Sequence, residues 1–441
     1  MNKVCIVGIW HQGAVAAACL ADLGYQVIGV DQDETRVKEL NQGKAPLFEP
    51  GLDELLSRGI RSGNLSFTTS LEEGLLDTQN ILMMFDTPVD ENDQIDLSGI
   101  FATVRDMAPH ILSRSILIVT AQVPIGTCDQ IAEIISSTNP ESRFGIAYIP
   151  ENLRLGQAIE RFLHPPLPVI GADDPETFDR VSKLLSVLST SWLHVNLKTG
   201  EMVKHALNAF LAISVCFANE LGNICDATGA DGMLVAKALR IEPRIGPKAM
   251  LSPGLGFSGG TLARDMRTLQ NIGDRFEIET SLIDGAWESN QRQNQMVARN
   301  LQKIFGSLKD LNIGVLGLTY KPDTSTLRRS ASIEIINDLI TQGARVKGYD
   351  PKADRSELEK HKEFEICPDA YSAAREVDVL ILITPWGEFK DLDYKRILPT
   401  MKRKIIFDTQ NLLDVTRLVR EGFSVIGVGR GMIPNSNEVS K

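Results

Sequence analysis

Residues 201–226, EMVKHALNAFLAISVCFANELGNICD, lie near the middle of the 441-residue chain and constrain its fold more than any other stretch. Apolar side chains recur at Val203, Leu207, Phe210, Leu211, Phe217, Leu221 and Ile224, the spacing of a long helix covered over most of its surface. On both sides of it, short apolar strands alternate with helical patterns. A chain this long exceeds one ordinary core. The reading is therefore α/β: two Rossmann-like doubly wound domains joined by a long central helix and a small α-helical domain. The boundaries expected are 1–199, 200–298 and 299–441. The apolar pattern of the helix is too broad for one neighbour to cover, which predicts a homodimer through it. Lys204 and Asn208 are four residues apart and project from one helix face. On an isolated core helix they would be a solvated lysine and asparagine; the flanking motifs make them site candidates.

Hydrophobic content of 43% with 23% charged residues is that of a soluble globular chain. No apolar run approaches the ~20 residues of a membrane span, and MNKVCIVGIW enters a strand pattern directly. A cytoplasmic protein with no membrane contact is the expectation. A net charge of −11 argues against a nucleic-acid surface. The six Cys and six His are scattered without ligand spacing, so no metal site is expected.

At the N-terminus, KVCIVG (3–8) reads as a strand, 13–24 as an Ala-rich helix closed by Gly24, and QVIGVD (26–31) as a second strand tipped by Asp31. Such a βαβ unit seats a dinucleotide pyrophosphate on the helix N-terminus and its ribose on the acid. The turn is Gly8-Ile9-Trp10-His11-Gln12-Gly13, with Gly8 and Gly13 in place and Trp10 at the second glycine position. An indole there either fills the phosphate site or forces the loop elsewhere, and weak dinucleotide affinity is predicted. Strand ends further on place Thr87, Gln122 and Glu151 where open α/β sheets hold ligands. Residues 242–266 are dense in Gly and Pro, with Arg244, Lys248 and Arg264 interspersed. They read as an irregular loop suited to a phosphate-bearing ligand. From 311 the alternation resumes and repeats the first domain, and the tail NSNEVSK reads as disordered.

Taken together, LNQGKAPLFEPGLDELL (40–56), FDTP (85–88), VPIGT (123–127), YIPENLRLG (148–156), EMVKHALNAFLA (201–212), GLGFSGG with Asp265, GLTYKPDT (317–324), TPWGEF (384–389) and IGVGR (426–430) resemble the UDP-glucose/GDP-mannose dehydrogenase family over nearly the whole chain. The resemblance implies a cytoplasmic dimer built on the long helix, NAD on the N-terminal domain, and the nucleotide of an NDP-sugar, most simply a UDP-sugar, on the C-terminal domain. The sugar C6 alcohol is then oxidised twice. It gives Lys204 and Asn208 the orientation of the sugar and stabilisation of an oxyanion, Asp265 the positioning of a water, and Glu151 acid–base work. Arg244, Phe257, Gly260 and Lys321 line the nucleotide-sugar site.

The departures are as informative. Thr261 stands at the family's catalytic Cys, Arg264 at its adjoining Lys, Ala121 and Gln122 at a Ser-Thr pair, Asn152 at a Phe, Ser325 and Thr326 at an acidic pair, and Gln410 at an Arg. Three functions follow as alternatives: a nucleotide-sugar dehydrogenase with altered chemistry, a non-catalytic NDP-sugar binder, and a two-electron oxidation or epimerisation.

Overall fold

The computed structural model describes residues 3–89, 95–188, 191–258 and 260–435. Most of the tail expected to be disordered, 436–441, lies outside them. The chain divides into two compact units, Met1–Leu207 and Asn208–Lys441.

The first unit is built on eight strands: β1 (Lys3–Val7), β2 (Gln26–Val30), β3 (Leu65–Thr68), β4 (Asn80–Met83), β5 (Ile116–Val119), β6 (Gly145–Tyr148), β7 (Val169–Gly171) and β8 (Leu193–Val195). Their order is β3-β2-β1-β4-β5-β6-β7-β8, parallel except at the β6–β7 pair. Alternate residues serve opposite faces. Val4, Ile6, Leu82, Ile116 and Ile118 enter one core, while Cys5, Val7, Ile81, Met83, Leu117 and Val119 enter another. Strands apolar on both faces are what a sheet covered by helices on both sides requires. The strand order reverses between β1 and β4, the switch point at which such sheets bind ligands.

The helix after β1 is His11–Asp22, two residues earlier at each end than the sequence suggested. Trp10 supplies an extended N-cap (φ −68°, ψ −156°), so the helix needs no glycine to start it. Gly13 is required for packing: a Cβ there would lie 2.0 Å from the carbonyl oxygen of Gly8. Gly13→Ala is expected to cost about 2 kcal/mol or more. That lowers the melting temperature of the first unit by roughly 4–8 °C, which calorimetry would register.

The central helix spans Leu197–Thr228, 32 residues, and the boundary between the two units falls within it. It is long and apolar enough to cross a membrane by length and composition. Its first part, however, buries Glu201, Lys204, His205 and Asn208 against protein.

The second unit carries β9 (Asn312–Leu316), β10 (Arg345–Tyr349), β11 (Glu365–Ile366), β12 (Val379–Leu382), β13 (Ile405–Asp408), β14 (Ser424–Gly427) and β15 (Gly431–Ile433). Their order is β11-β10-β9-β12-β13-β14-β15, with only β14–β15 antiparallel. The architecture of the first sheet thus recurs, including the acid after its second strand. Asp350 accepts the N–H groups of Leu318 and Thr319 at 2.8 and 2.9 Å and the Trp386 indole N–H at 3.0 Å.

The stretch 242–266 is irregular only to residue 260. A helix, Thr261–Phe276, starts at 261, because TLARDM contains neither Gly nor Pro. The preceding loop is held by neutral carboxamides. Asn219 accepts from Gly254 N–H and donates to Leu255 O, Asn290 does the same for both main-chain groups of Phe257, and Asn294 accepts from Gly256 N–H. These bonds replace the ladder that an irregular segment lacks.

Candidate functional site

The dinucleotide turn keeps its two essential glycines. Gly8 has φ +90°, and a Cβ there would lie 2.6 Å from Met84 O. Trp10 has not displaced the turn. Its indole points outward, 39% exposed, with the Arg36 guanidinium 4.9 Å from the ring centroid. Arg36 in turn pairs with Asp31 at 2.7 Å, and Asp31 accepts Ile9 N–H at 3.1 Å. The first turn of the helix His11–Asp22 has neither a capping side chain nor an acid. Its N–H groups and partial positive charge suit a pyrophosphate, with Asp31 at the ribose position. Thr87 and Gln122 are both buried at the tips of β4 and β5, where Thr87 Oγ1 donates to Gln122 O at 2.9 Å. These residues fit NAD.

Along the central helix, Glu201, Lys204, His205 and Asn208 form a polar stripe one to two turns long, and all four are buried. The solvated reading of Lys204 and Asn208 is therefore replaced by a buried one. Lys204 Nζ lies 3.9 Å from Glu151 Oε2, with the two side chains 6% and 13% exposed. Asn208 Nδ2 donates to Asp265 Oδ2, and Asp265 is fully buried. In such surroundings a charge pair acts with little screening by water.

Two buried carboxylates went unnoticed in the sequence. Glu201 accepts the N–H groups of Gly126 and Cys128 at 2.6 and 2.8 Å, capping the helix Thr127–Thr138. Burial pushes its carboxyl above the usual range, and the same N–H groups oppose that shift. His205 Nε2 bonds Val123 O at 2.8 Å, so both residues hold the 123–128 turn to the helix carrying Lys204. Glu49 accepts Gly156 N–H and Ala158 N–H, both at 2.8 Å, and meets His11 Nε2 at 3.1 Å. It links the dinucleotide turn to the segment that follows Glu151. The signal for Glu201 was present: polar residues at 201, 204, 205 and 208 repeat at helical spacing within an apolar helix.

Thr261 is exposed as the first residue of its helix, one turn before Asp265 and preceded by Gly260, while Arg264 is half-buried. Phe257 is half-buried against Trp287, ring centroids 6.5 Å apart. Lys321 lines a cavity of about 210 Å³ with Gly256, Ser258, Thr319, Thr384 and Gln410, beyond the ends of β9 and β12. Arg244 is not brought to it: its side chain is 87% exposed and paired with Glu242 at 2.7 Å. Among the described residues no group of three or more His, Cys, Asp or Glu is placed to hold a metal.

Comparison with known proteins places this geometry in context. The NAD binding domain model of the UDP-glucose/GDP-mannose dehydrogenase family matches residues 2–189, its central domain 198–292, and its UDP binding domain 314–415. A UDP-glucose 6-dehydrogenase of Rhizobium meliloti is 32% identical, over 97% of this chain and 99% of its own. The UDP-glucose 6-dehydrogenase TuaD of Bacillus subtilis is 29% identical, over 100% and 96%. Among solved structures, a UDP-glucose dehydrogenase from Pyrobaculum islandicum superposes with a TM-score of 0.84 at 29% identity, covering 93% of this chain and 95% of that one.

Proposed function

As this chain belongs to the UDP-glucose/GDP-mannose dehydrogenase family, we propose that it oxidises the C6 alcohol of a UDP-sugar with NAD by a route that forms no covalent acyl-enzyme. The observation that carries the reading is the buried Lys204–Glu151 pair, one helical turn from the Asn208–Asp265 hydrogen bond. Bound NAD supplies the hydride acceptor. Glu151 takes the hydroxyl proton as the C–H bond gives up its hydride, and the Lys204 ammonium and Asn208 amide stabilise the negative oxygen that develops. Asp265 fixes the Asn208 amide so that its remaining N–H faces the sugar oxygen. Gly8, Gly13, Asp31, Thr87 and Gln122 hold the cofactor, with Arg264 in the role of the family's Lys. Phe257, Gly260 and Lys321 take the nucleotide sugar. Arg244 joins them only through a rearrangement that frees it from Glu242.

Thr261 carries the claim about route. Its secondary hydroxyl is un-ionised at neutral pH and needs an adjacent base to act as a nucleophile, whereas a Cys thiol is partly ionised and intrinsically reactive. Purified protein incubated with NAD and a panel of UDP-sugars should form NADH with one of them. NAD and UDP-sugar binding without NADH would sink this reading. It would favour a non-catalytic binder, which Trp10, Thr261 and Gln410 at family positions also suit.

Two further outcomes are expected. Trp10→Gly should tighten NAD binding in calorimetry, since a bare backbone allows closer approach to the pyrophosphate; no tightening contradicts that view of the turn. The protein should also be a dimer through the central helix. Phe210, Phe217 and Ile224 recur every seven residues on it and are 69%, 53% and 58% exposed. Phe217→Asp should give a monomer by light scattering. A wild-type monomer at micromolar concentration would refute the dimer.

A further inference from the structure

Beside Glu151, within the first unit, opens a crevice of about 70 Å³ that the reading above does not use. One water needs roughly 10–15 Å³, so several atoms fit. Its walls are hydrocarbon, with Leu153, Phe162, Leu167 and Trp192 each half-buried around it. Asn152 stands among them, next in the chain to Glu151. Its main-chain carbonyl accepts from Arg161 Nη1 at 3.4 Å. Among the described residues its carboxamide has no protein partner, so a donor and an acceptor are left unused at the edge of an apolar space.

We infer that this crevice is the subsite for an acylamino substituent on the sugar ring, so that the substrate is the UDP derivative of an N-acylated amino sugar. The inference rests on the proposed function. An acylamino group joins an amide to a methyl. The amide matches the Asn152 donor and acceptor, and the methyl matches the hydrocarbon walls. A hydroxyl in the same place would be buried against hydrocarbon without a partner, which is unfavourable. A deoxy carbon would leave the carboxamide unanswered. Position agrees: Glu151 faces Lys204 at 3.9 Å, and its chain neighbour Asn152 faces the crevice, so one ring can reach both.

The test is calorimetry of the whole chain with UDP and with two pairs differing only in this substituent: UDP-glucose against UDP-N-acetylglucosamine, and UDP-galactose against UDP-N-acetylgalactosamine. In the pair that binds, the N-acetyl member should bind about tenfold tighter or more. Asn152→Ala should shrink that preference to roughly threefold or less, and Asn152→Phe, which fills the crevice, should abolish or reverse it. Retained UDP affinity shows that each variant is folded. Equal affinity within both pairs, a hexose preference, or a preference unmoved by both variants overturns the inference alone. No heat with UDP or any UDP-sugar overturns the proposed function and this inference with it.

Discussion

Lys204→Met is expected to slow NADH formation by about 10²–10⁴-fold, the range for losing a positioned acid–base or charge-stabilising group. The substitution keeps the length of the side chain and removes its charge, leaving the nearly buried Glu151 carboxylate without its cation 3.9 Å away. NAD binds at the opposite end of the argument, on the turn around Gly8 and Asp31, so its affinity should change by less than about threefold in the same variant. Single-turnover kinetics with separate NAD titration distinguishes the two. A variant that loses NAD binding and turnover together would mean that Lys204 supports the fold and not the chemistry.

Glu201→Ala should be the most destabilising single change in the first unit. It leaves the N–H groups of Gly126 and Cys128 buried without acceptors, at about 1–3 kcal/mol each. It also releases the 123–128 turn from the helix that carries Lys204. Glu201→Gln separates charge from shape. Burial raises the native pKa above the unfolded value of about 4.3. The native state therefore holds this proton to higher pH than the unfolded chain does. The stability that Glu201 contributes is fully present below the unfolded value and declines as pH rises through the native one. The melting temperature of wild type minus that of Glu201→Gln should accordingly fall as pH rises from about 4 through the mildly acid range, then level off. A difference independent of pH would show that Glu201 does not titrate there.

Much of this architecture was legible in the sequence because it is written in local periodicity. The central helix follows from apolar residues at three- and four-residue spacing, and both sheets follow from short apolar runs ending in Gly or Asp. The Lys204–Asn208 face followed from helix geometry, and its burial did not. Burial depends on what packs against a face, and the partners Glu151 and Asp265 are 53 and 57 residues away from Lys204 and Asn208 respectively. Trp10 was read as an obstruction from its volume alone. Its direction is set by Arg36, whose pairing with Asp31 across the second strand is a tertiary fact. Arg244 was placed in the site by motif, yet its fully solvated ion pair with Glu242 is a local preference that no motif encodes. Glu49 and Glu201 were missed for a related reason. A carboxylate that caps another element's N-terminus has no signature within its own segment.

The route past Thr261 can be tested directly. Wild type and Thr261→Cys are each quenched during turnover with NAD and the active UDP-sugar, and the mass of the intact protein is measured alongside NADH released per sugar. The account predicts NADH from wild type with no mass added to the protein, and a covalent sugar adduct on the Cys variant. A wild-type protein acylated at Thr261, releasing two NADH per sugar and uronic acid, would contradict it.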